Sequence, residues 1–353
     1  MSARNNYDAV RLMAAATVIY GHAYPLTASP NRWILDNPVQ GFALKIFFVI
    51  SGYLVSTSWL ADPHILRYLR KRLLRIFPAL ILTVCLTAFI LGPLVTTLSV
   101  GSYFASPSLL AYLGNIALKP AYALPGVFTH LPYPSAVNGS LWSLPIEFTM
   151  YLVFPIVCLL AGSRMRRMAI LALTVVLCLT SLYALHISPN PPRQVFYGTS
   201  LASAIGVVPF FLIGSCFKLF DFDRFFDPTL ALGLLGCLAL IQPAGSIVQE
   251  FSAFCVMPYA VLSFASESTP ILSRTARWGD LSYGLYLFGF PLQQLTNHIA
   301  GRPLSALGNA FLSFPLAIGC AFASWHLVEK RALKFRPQPF EAPVSNVQRE
   351  SLI

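Results

Sequence analysis

The chain has 353 residues, of which 56% are apolar and only 10% charged, and its mean hydropathy is +0.66. Such a composition excludes an ordinary water-soluble domain and a disordered chain, and fits a polytopic α-helical membrane protein. The net charge of +11 does not imply nucleic acid, because the basic residues cluster between alternate apolar runs, as the positive-inside rule expects.

Ten apolar runs are read as membrane spans: 8–27, 39–60, 77–98, 141–161, 168–186, 199–218, 228–243, 249–266, 278–299 and 305–328. They predict an all-α transmembrane bundle over 1–337 with both termini cytoplasmic. The polar tail 338–353 reads as a disordered cytoplasmic segment. The first run has no small-residue cleavage site and carries Arg11 and His22, so it is retained and not removed as a signal peptide. With the N-terminus inside, Arg67, Arg70, Lys71, Arg72 and Arg75 follow span two on the cytoplasmic side. Further basic groups follow spans four, six, eight and ten, the last comprising Lys330, Arg331, Lys334 and Arg336. The outer loops keep only Arg32, Lys119, Arg193 and Arg302. Runs seven and eight are short and joined through Pro243-Ala244-Gly245-Ser246, so they form either two crossings or a re-entrant hairpin. Residues 99–140 make a long outer segment whose apolar middle is too short to cross, either a passive lid or a functional loop. The seven cysteines fall one per span with no metal or disulfide spacing, and are read as packing residues.

Ionisable residues inside a span are costly and usually face protein or water. Arg11 and His22 are eleven positions apart. Eleven steps of about 100° make three turns plus about 20°, so the two side chains share one helix face about 16 Å apart. His22 suits a general base or nucleophile; the plain alternative is an interfacial histidine bonded to a neighbour. Lys45 in span two and Glu147 in span four lie at a similar depth, which predicts a polar pocket in the outer half. There Glu147 either orients the His22 imidazole or forms a structural pair with Lys45. Arg72 and Arg75 are three apart on one face and abut span three, so they are the candidates for phosphate recognition. Arg67, Arg70 and Lys71 fit a topogenic, lipid-facing role equally well. No Walker A loop, Gly-x-Ser-x-Gly elbow or His-Glu-x-x-His stands in the sequence. Asp221 and Asp223 are read as solvated carboxylates of a turn, not a metal pair.

Several segments taken together resemble acyltransferase family 3, the membrane O-acyltransferases of bacterial glycans. They are Asp8-Ala9-Val10-Arg11 with His22, Phe47-Phe48-Val49-Ile50-Ser51-Gly52-Tyr53-Leu54, and Arg72-Leu73-Leu74-Arg75-Ile76-Phe77-Pro78. Leu141-Trp142-Ser143-Leu144 with Glu147 and Tyr151, Leu281-Ser282-Tyr283-Gly284-Leu285-Tyr286-Leu287 and Val328-Glu329-Lys330 complete the set. The resemblance covers nearly the whole chain and matches the stand-alone type, without a fused extracytoplasmic domain. It implies transfer of an acyl group, most often acetyl, from acetyl-CoA or another acyl-CoA to a sugar hydroxyl in the bacterial inner membrane. The acyl-CoA is then a co-substrate, with no resident cofactor or metal. The implied partners are the acyl-CoA, a glycan or oligosaccharide acceptor and membrane lipids, and no nucleic acid. On this reading His22 and Glu147 are catalytic, and Arg11, Arg72 and Arg75 hold the donor. Lys45, Ser51, Trp142, Ser143 and Tyr283 line the acceptor pocket. One departure stands out: many members carry a histidine where this chain has Gly289, and His298 lies too far along the helix to replace it. The alternative function is a transporter or flippase in which Arg11, Lys45 and Glu147 line a path and no bond is made. No internal repeat supports that alternative.

Overall fold

Asparagine and glutamine side chains, not only apolar contact, fasten the first helix to the last two. The computed structural model describes residues 5–187, 195–241, 245–302 and 304–337. Helix α1 spans Tyr7–Leu26, and a two-residue antiparallel hairpin, β1 (Trp33–Ile34) with β2 (Asn37–Pro38), leads to α2 at Val39–Ala61. Helix α3 covers Ile65–Leu86 and continues through a π-helical turn, Thr87–Leu91, into Gly92–Val95. Short helices at Val100–Phe104 and Pro107–Leu113 make up much of the outer segment. Helix α4, Ser143–Ile187, is bent at Gly162, whose φ of 68° lies in the left-handed region that glycine adopts without strain. After a second hairpin, β3 (Val195–Phe196) with β4 (Thr199–Ser200), come α5 (Leu201–Leu219), α6 (Pro228–Ile241) and α7 (Ser246–Ser266). Helix α8 is Ser282–Ala300. Helix α9, Ala306–Ser324, runs on through a π-helical stretch, Trp325–Glu329, into turns at Lys330–Ala332 and Leu333–Phe335.

A helical element stands at each of the ten expected runs, but among the described residues six helical stretches are long and apolar enough to cross a membrane by length and composition. Runs 141–161 and 168–186 are the two arms of bent α4. Helix α6 has 14 residues, about 21 Å, short of a hydrocarbon core of about 30 Å. Polar side chains of α8 hydrogen-bond inside the bundle. Gln293 of α8 donates to the Ile19 carbonyl of α1 at 2.8 Å and Asn297 to that of Leu26 at 2.9 Å. Asn309 of α9 donates to the Gln293 carbonyl and to Asn297 Oδ1, both at 2.9 Å. Such bonds hold helices together where lipid provides no water to compete. Large side chains left exposed, such as Leu160, Leu240 and Phe311, cover the outside of the bundle, as a lipid-solvated surface requires. The tail 338–353 and the Pro243–Ala244 part of the α6–α7 connection lie outside the described residues.

The closest helix crossing joins α2 to α5. A Cβ on Gly52 would lie 1.8 Å from the Phe211 carbonyl oxygen, and one on Gly214 would lie 2.2 Å from that of Val49. Small residues thus let the two backbones touch, and Ser215 Oγ donates to the Gly52 carbonyl at 3.2 Å.

One expectation about α3 changes. The basic cluster is not a loop before the span, because the helix starts at Ile65 and carries Arg67 to Arg75 on its first turns. Rotation at about 100° per residue then splits the cluster. Arg67 and Lys71 turn back to Asp62, at 2.6 and 3.2 Å, whereas Arg72 and Arg75 face the interior.

Candidate active site

A charged cavity of about 360 Å³ lies between α1, α2, α3, α4, α8 and the C-terminal end of the α9 stretch. Its two ends differ chemically. Arg11, Arg72, Arg75 and Arg336 stand with Asp280 at one end. Apolar walls from Leu44, Phe48, Ile50, Leu54 and Leu144 lead to a hydroxyl-lined end at Ser143 and Tyr286.

Asp280 organises the cationic end. Arg11 Nη1 and Arg75 Nη2 both donate to its Oδ2 at 2.5 Å, while its Oδ1 accepts from the Ser282 hydroxyl and backbone N–H. Each arginine keeps further N–H groups, because a guanidinium has five. The Arg75 guanidinium also lies over the Tyr283 ring at 5.5 Å, and the Tyr283 hydroxyl donates to the Ile76 carbonyl at 3.0 Å. Arg72 lies between the rings of Tyr68 and Tyr151, each 5.6 Å away, and its buried Nε has no hydrogen-bond partner.

Glu147 lies in the same cavity, one helical turn from Tyr151. Its Oε1 accepts from the Tyr151 hydroxyl at 2.5 Å and from Ser51 at 2.9 Å. The expected pairing with His22 is therefore not formed. Glu147 instead fixes the ring that supports Arg72. Higher up, the Tyr286 hydroxyl donates to the Ser140 carbonyl at 2.7 Å and lies 2.6 Å from Ser143 Oγ.

Lys45 also departs from expectation. It pairs not with Glu147 but with Glu250 of α7, at 2.6 Å, and lies under the Phe210 ring at 4.7 Å. One residue along α2 is about 100° of rotation, so Lys45 turns away from the face that carries Leu44, Phe48 and Ser51. It lines a separate cavity of about 130 Å³ together with Asp36, Asn37 and Glu250. Trp142 is likewise outside the charged cavity. The helix face that includes Ser143, Leu144, Glu147 and Tyr151 excludes it, and its carbonyl accepts from Thr199 at 3.2 Å.

His22 does not line the cavity. Its half-buried ring meets Phe290 edge-on, with centroids 5.3 Å apart. Phe290 in turn fills the space left by Gly139, where a Cβ would lie 2.6 Å from its ring. Phe290 is four residues beyond Tyr286 on α8, so His22 stands one helical turn, about 6 Å, past the hydroxyl end of the cavity. Gly289 beside it packs on Ile19, and a Cβ there would lie 2.6 Å from that side chain. The helices at this level are too close for a histidine at 289. Above His22, the outer segment is strapped to α8: Gln294 donates to the carbonyls of Tyr133 and Ala136 at 2.7 and 2.8 Å.

Of the residues expected at the site, the cavity gathers Arg11, Ser51, Arg72, Arg75, Ser143, Glu147 and Tyr283. It adds Asp280, Tyr286 and Arg336, which sequence reasoning did not single out. Asp280 sits just before Leu281-Ser282-Tyr283, and Arg336 was counted only as part of a topogenic cluster. Asp221 and Asp223 are taken up by Arg167 and Lys218 at 3.0 and 2.6 Å, and no metal-binding group occurs among the described residues.

A family model described as an acyltransferase domain matches residues 4–326. An O-acetyl transferase of Shigella phage Sf6 is 29% identical, over 94% of this chain and 97% of its own length. Nodulation protein 10 of Rhizobium leguminosarum bv. viciae is 27% identical, over 94% of each chain. A peptidoglycan O-acetyltransferase of Listeria monocytogenes is 23% identical over 91% of this chain, which spans 54% of that protein. No solved structure is significantly similar. With its match running from residue 4 to residue 326, the chain belongs to this acyltransferase family.

Proposed function

We propose that the protein is a membrane O-acetyltransferase. On this reading it moves an acetyl group from acetyl-CoA, entering from the cytoplasm, to a sugar hydroxyl of an exported or surface glycan at the bacterial inner membrane. The observation that carries the proposal is the polarity of the cavity. Four guanidiniums stand at one end, apolar walls follow, and His22 stands one turn beyond the other end. That order matches a donor with phosphates at one end, a long uncharged pantetheine arm, and a thioester at the tip.

Arg72, Arg75 and Arg11 would hold the phosphates, with Asp280 fixing the last two. The arm would run past Ser51, Leu54 and Leu144 to Ser143 and Tyr286. His22 Nε2 or Nδ1 would take the proton of the acceptor hydroxyl as its oxygen attacks the thioester carbonyl. The tetrahedral intermediate then expels the coenzyme A thiolate, which recovers the proton, leaving a sugar ester and free thiol. Passage from Tyr286 to His22 requires the Phe290 ring to move, because that ring occupies the intervening space.

The test uses purified protein in nanodiscs with acetyl-CoA and an oligosaccharide acceptor. His22→Ala is expected to abolish acceptor-dependent thiol release, by about a thousandfold or more, while still reaching the membrane. Near-normal acetylation by that variant removes His22 from the mechanism. Uptake of donor with no thiol release by the wild-type protein would establish the transporter reading instead.

A further inference from the structure

Two of the four cavity arginines are already committed to a carboxylate. Arg11 and Arg75 converge on one oxygen of Asp280. The other two, Arg72 and Arg336, form no ion pair among the described residues. Arg72 is held by its faces, between two tyrosine rings. Face stacking leaves the in-plane N–H groups of a guanidinium free, and those are the groups that recognise phosphate. Its buried, unpartnered Nε is such a group.

Arg336 arrives from an unexpected direction. It follows the last helical turn, Leu333–Phe335, and its backbone N–H is bonded to the Leu333 carbonyl at 3.2 Å. Leu333 and Arg336 both line the cavity, together with Trp325 at the other end of this strap. Burial and the neighbouring Arg75 and Arg72 push the Arg336 pKa down, as expected for like charges gathered at one mouth. Among the described residues lining this end, Asp280 is the one carboxylate and already bonds Arg11 and Arg75, so four guanidiniums share one counter-charge and the mouth favours an anion. Leu333 and Arg336 lie beyond residue 326, where the family match ends.

We propose that Arg336, carried by the C-terminal strap, completes with Arg72 a seat for the phosphates of the donor nucleotide at the mouth of the cavity. The inference rests on the acyl-CoA reading given above and adds a binding residue to it. The ligand class is an organic polyphosphate bearing a long uncharged arm.

The test measures binding of coenzyme A and of pantetheine, which lacks the nucleotide and its phosphates, to the full-length protein in nanodiscs. Arg336→Ala is expected to weaken coenzyme A about tenfold or more, the loss of one charge-assisted contact, and to leave pantetheine within about twofold. Arg336→Lys should recover much of the loss, since the charge returns without the fork. In turnover, the KM for acetyl-CoA should rise while kcat at saturation holds, and the melting temperature should not change. Equal weakening of both ligands, or unchanged coenzyme A affinity beside a wild-type protein that binds it, overturns the role of Arg336 alone. A wild-type protein that binds no coenzyme A overturns the donor reading and this inference together.

Discussion

The pairing of Lys45 is the point at which sequence depth and structure give opposite predictions, and a double-mutant cycle decides between them. Lys45 Nζ lies 2.7 and 2.6 Å from the two carboxylate oxygens of Glu250, and both side chains are about 5% exposed or less. At that separation and an effective dielectric constant of 20, the gross attraction is about 6 kcal/mol. Desolvation of each ion costs several kcal/mol, so the net contribution of the pair is small. Removing one partner is different, because it strands a charge where water cannot reach it. Lys45→Met or Glu250→Gln alone should therefore cost about 3–5 kcal/mol. The double variant should cost only about 1–2 kcal/mol, so the coupling energy, the two single costs less that of the double, should be about 4 kcal/mol or more. The same cycle for Lys45 with Glu147 should give less than about 0.5 kcal/mol, since Glu147 is bonded to Ser51 and Tyr151. Reversible unfolding in mixed micelles reads all five variants. A larger coupling to Glu147 than to Glu250 would refute this arrangement of α2, α4 and α7.

Two further variants test the site and the scaffold. Glu147→Gln weakens the acceptor that holds Tyr151, and with it the ring supporting Arg72, so the KM for acetyl-CoA should rise about three- to tenfold with kcat within about twofold. A collapse of kcat at unchanged KM would instead place Glu147 at the chemical step. Gly52→Ala puts a Cβ 1.8 Å from a backbone oxygen of α5. It should cost at least the 1–3 kcal/mol typical of overpacking, seen as a lower melting temperature in detergent, and a wild-type melting temperature would contradict the close α2–α5 crossing.

Much of this architecture was legible because lipid imposes simple rules. Apolar runs and the Arg11–His22 spacing follow from helix geometry alone, and the structure keeps both residues on α1, with Arg11 in the cavity and His22 against Phe290. The Arg72–Arg75 spacing also carries through, since three residues on a helix stay on one face wherever the helix begins. The misreadings share one cause. Lys45, Glu147 and His22 were grouped by depth, yet depth along a helix says nothing about azimuth relative to other helices. The rotation of α2 gives Lys45 to α7 and Ser51 to α4, and no local pattern encodes which helix lies on which side. Trp142 fails for the same reason, one residue away from a face that Ser143 shares. Asp280 and Arg336 were missed because the residues they meet in the cavity are distant in sequence: Arg11 is 269 residues from Asp280.

Outside the Arg11–Asp280–Arg75 cluster at the cavity, pairing more than burial marks which charges in this molecule are committed to the fold. Lys45 with Glu250, Arg67 and Lys71 with Asp62, and Lys218 with Asp223 each close on a carboxylate and leave little capacity for a ligand. Arg72, Arg336 and His22 do not close on anything among the described residues. Arg72 and Arg336 stand at one end of the cavity, and His22 stands one helical turn beyond its other end, behind Phe290. A guanidinium left without a counter-ion at a cavity mouth attracts an anion, while the apolar walls beyond it, Leu44, Phe48, Ile50, Leu54 and Leu144, disfavour a ligand charged along its length. The two conditions together admit a molecule charged at one end only. Simple sugars and inorganic phosphate each fail one of them, so under the proposed function it is the donor, and not the acceptor, that this cavity would take.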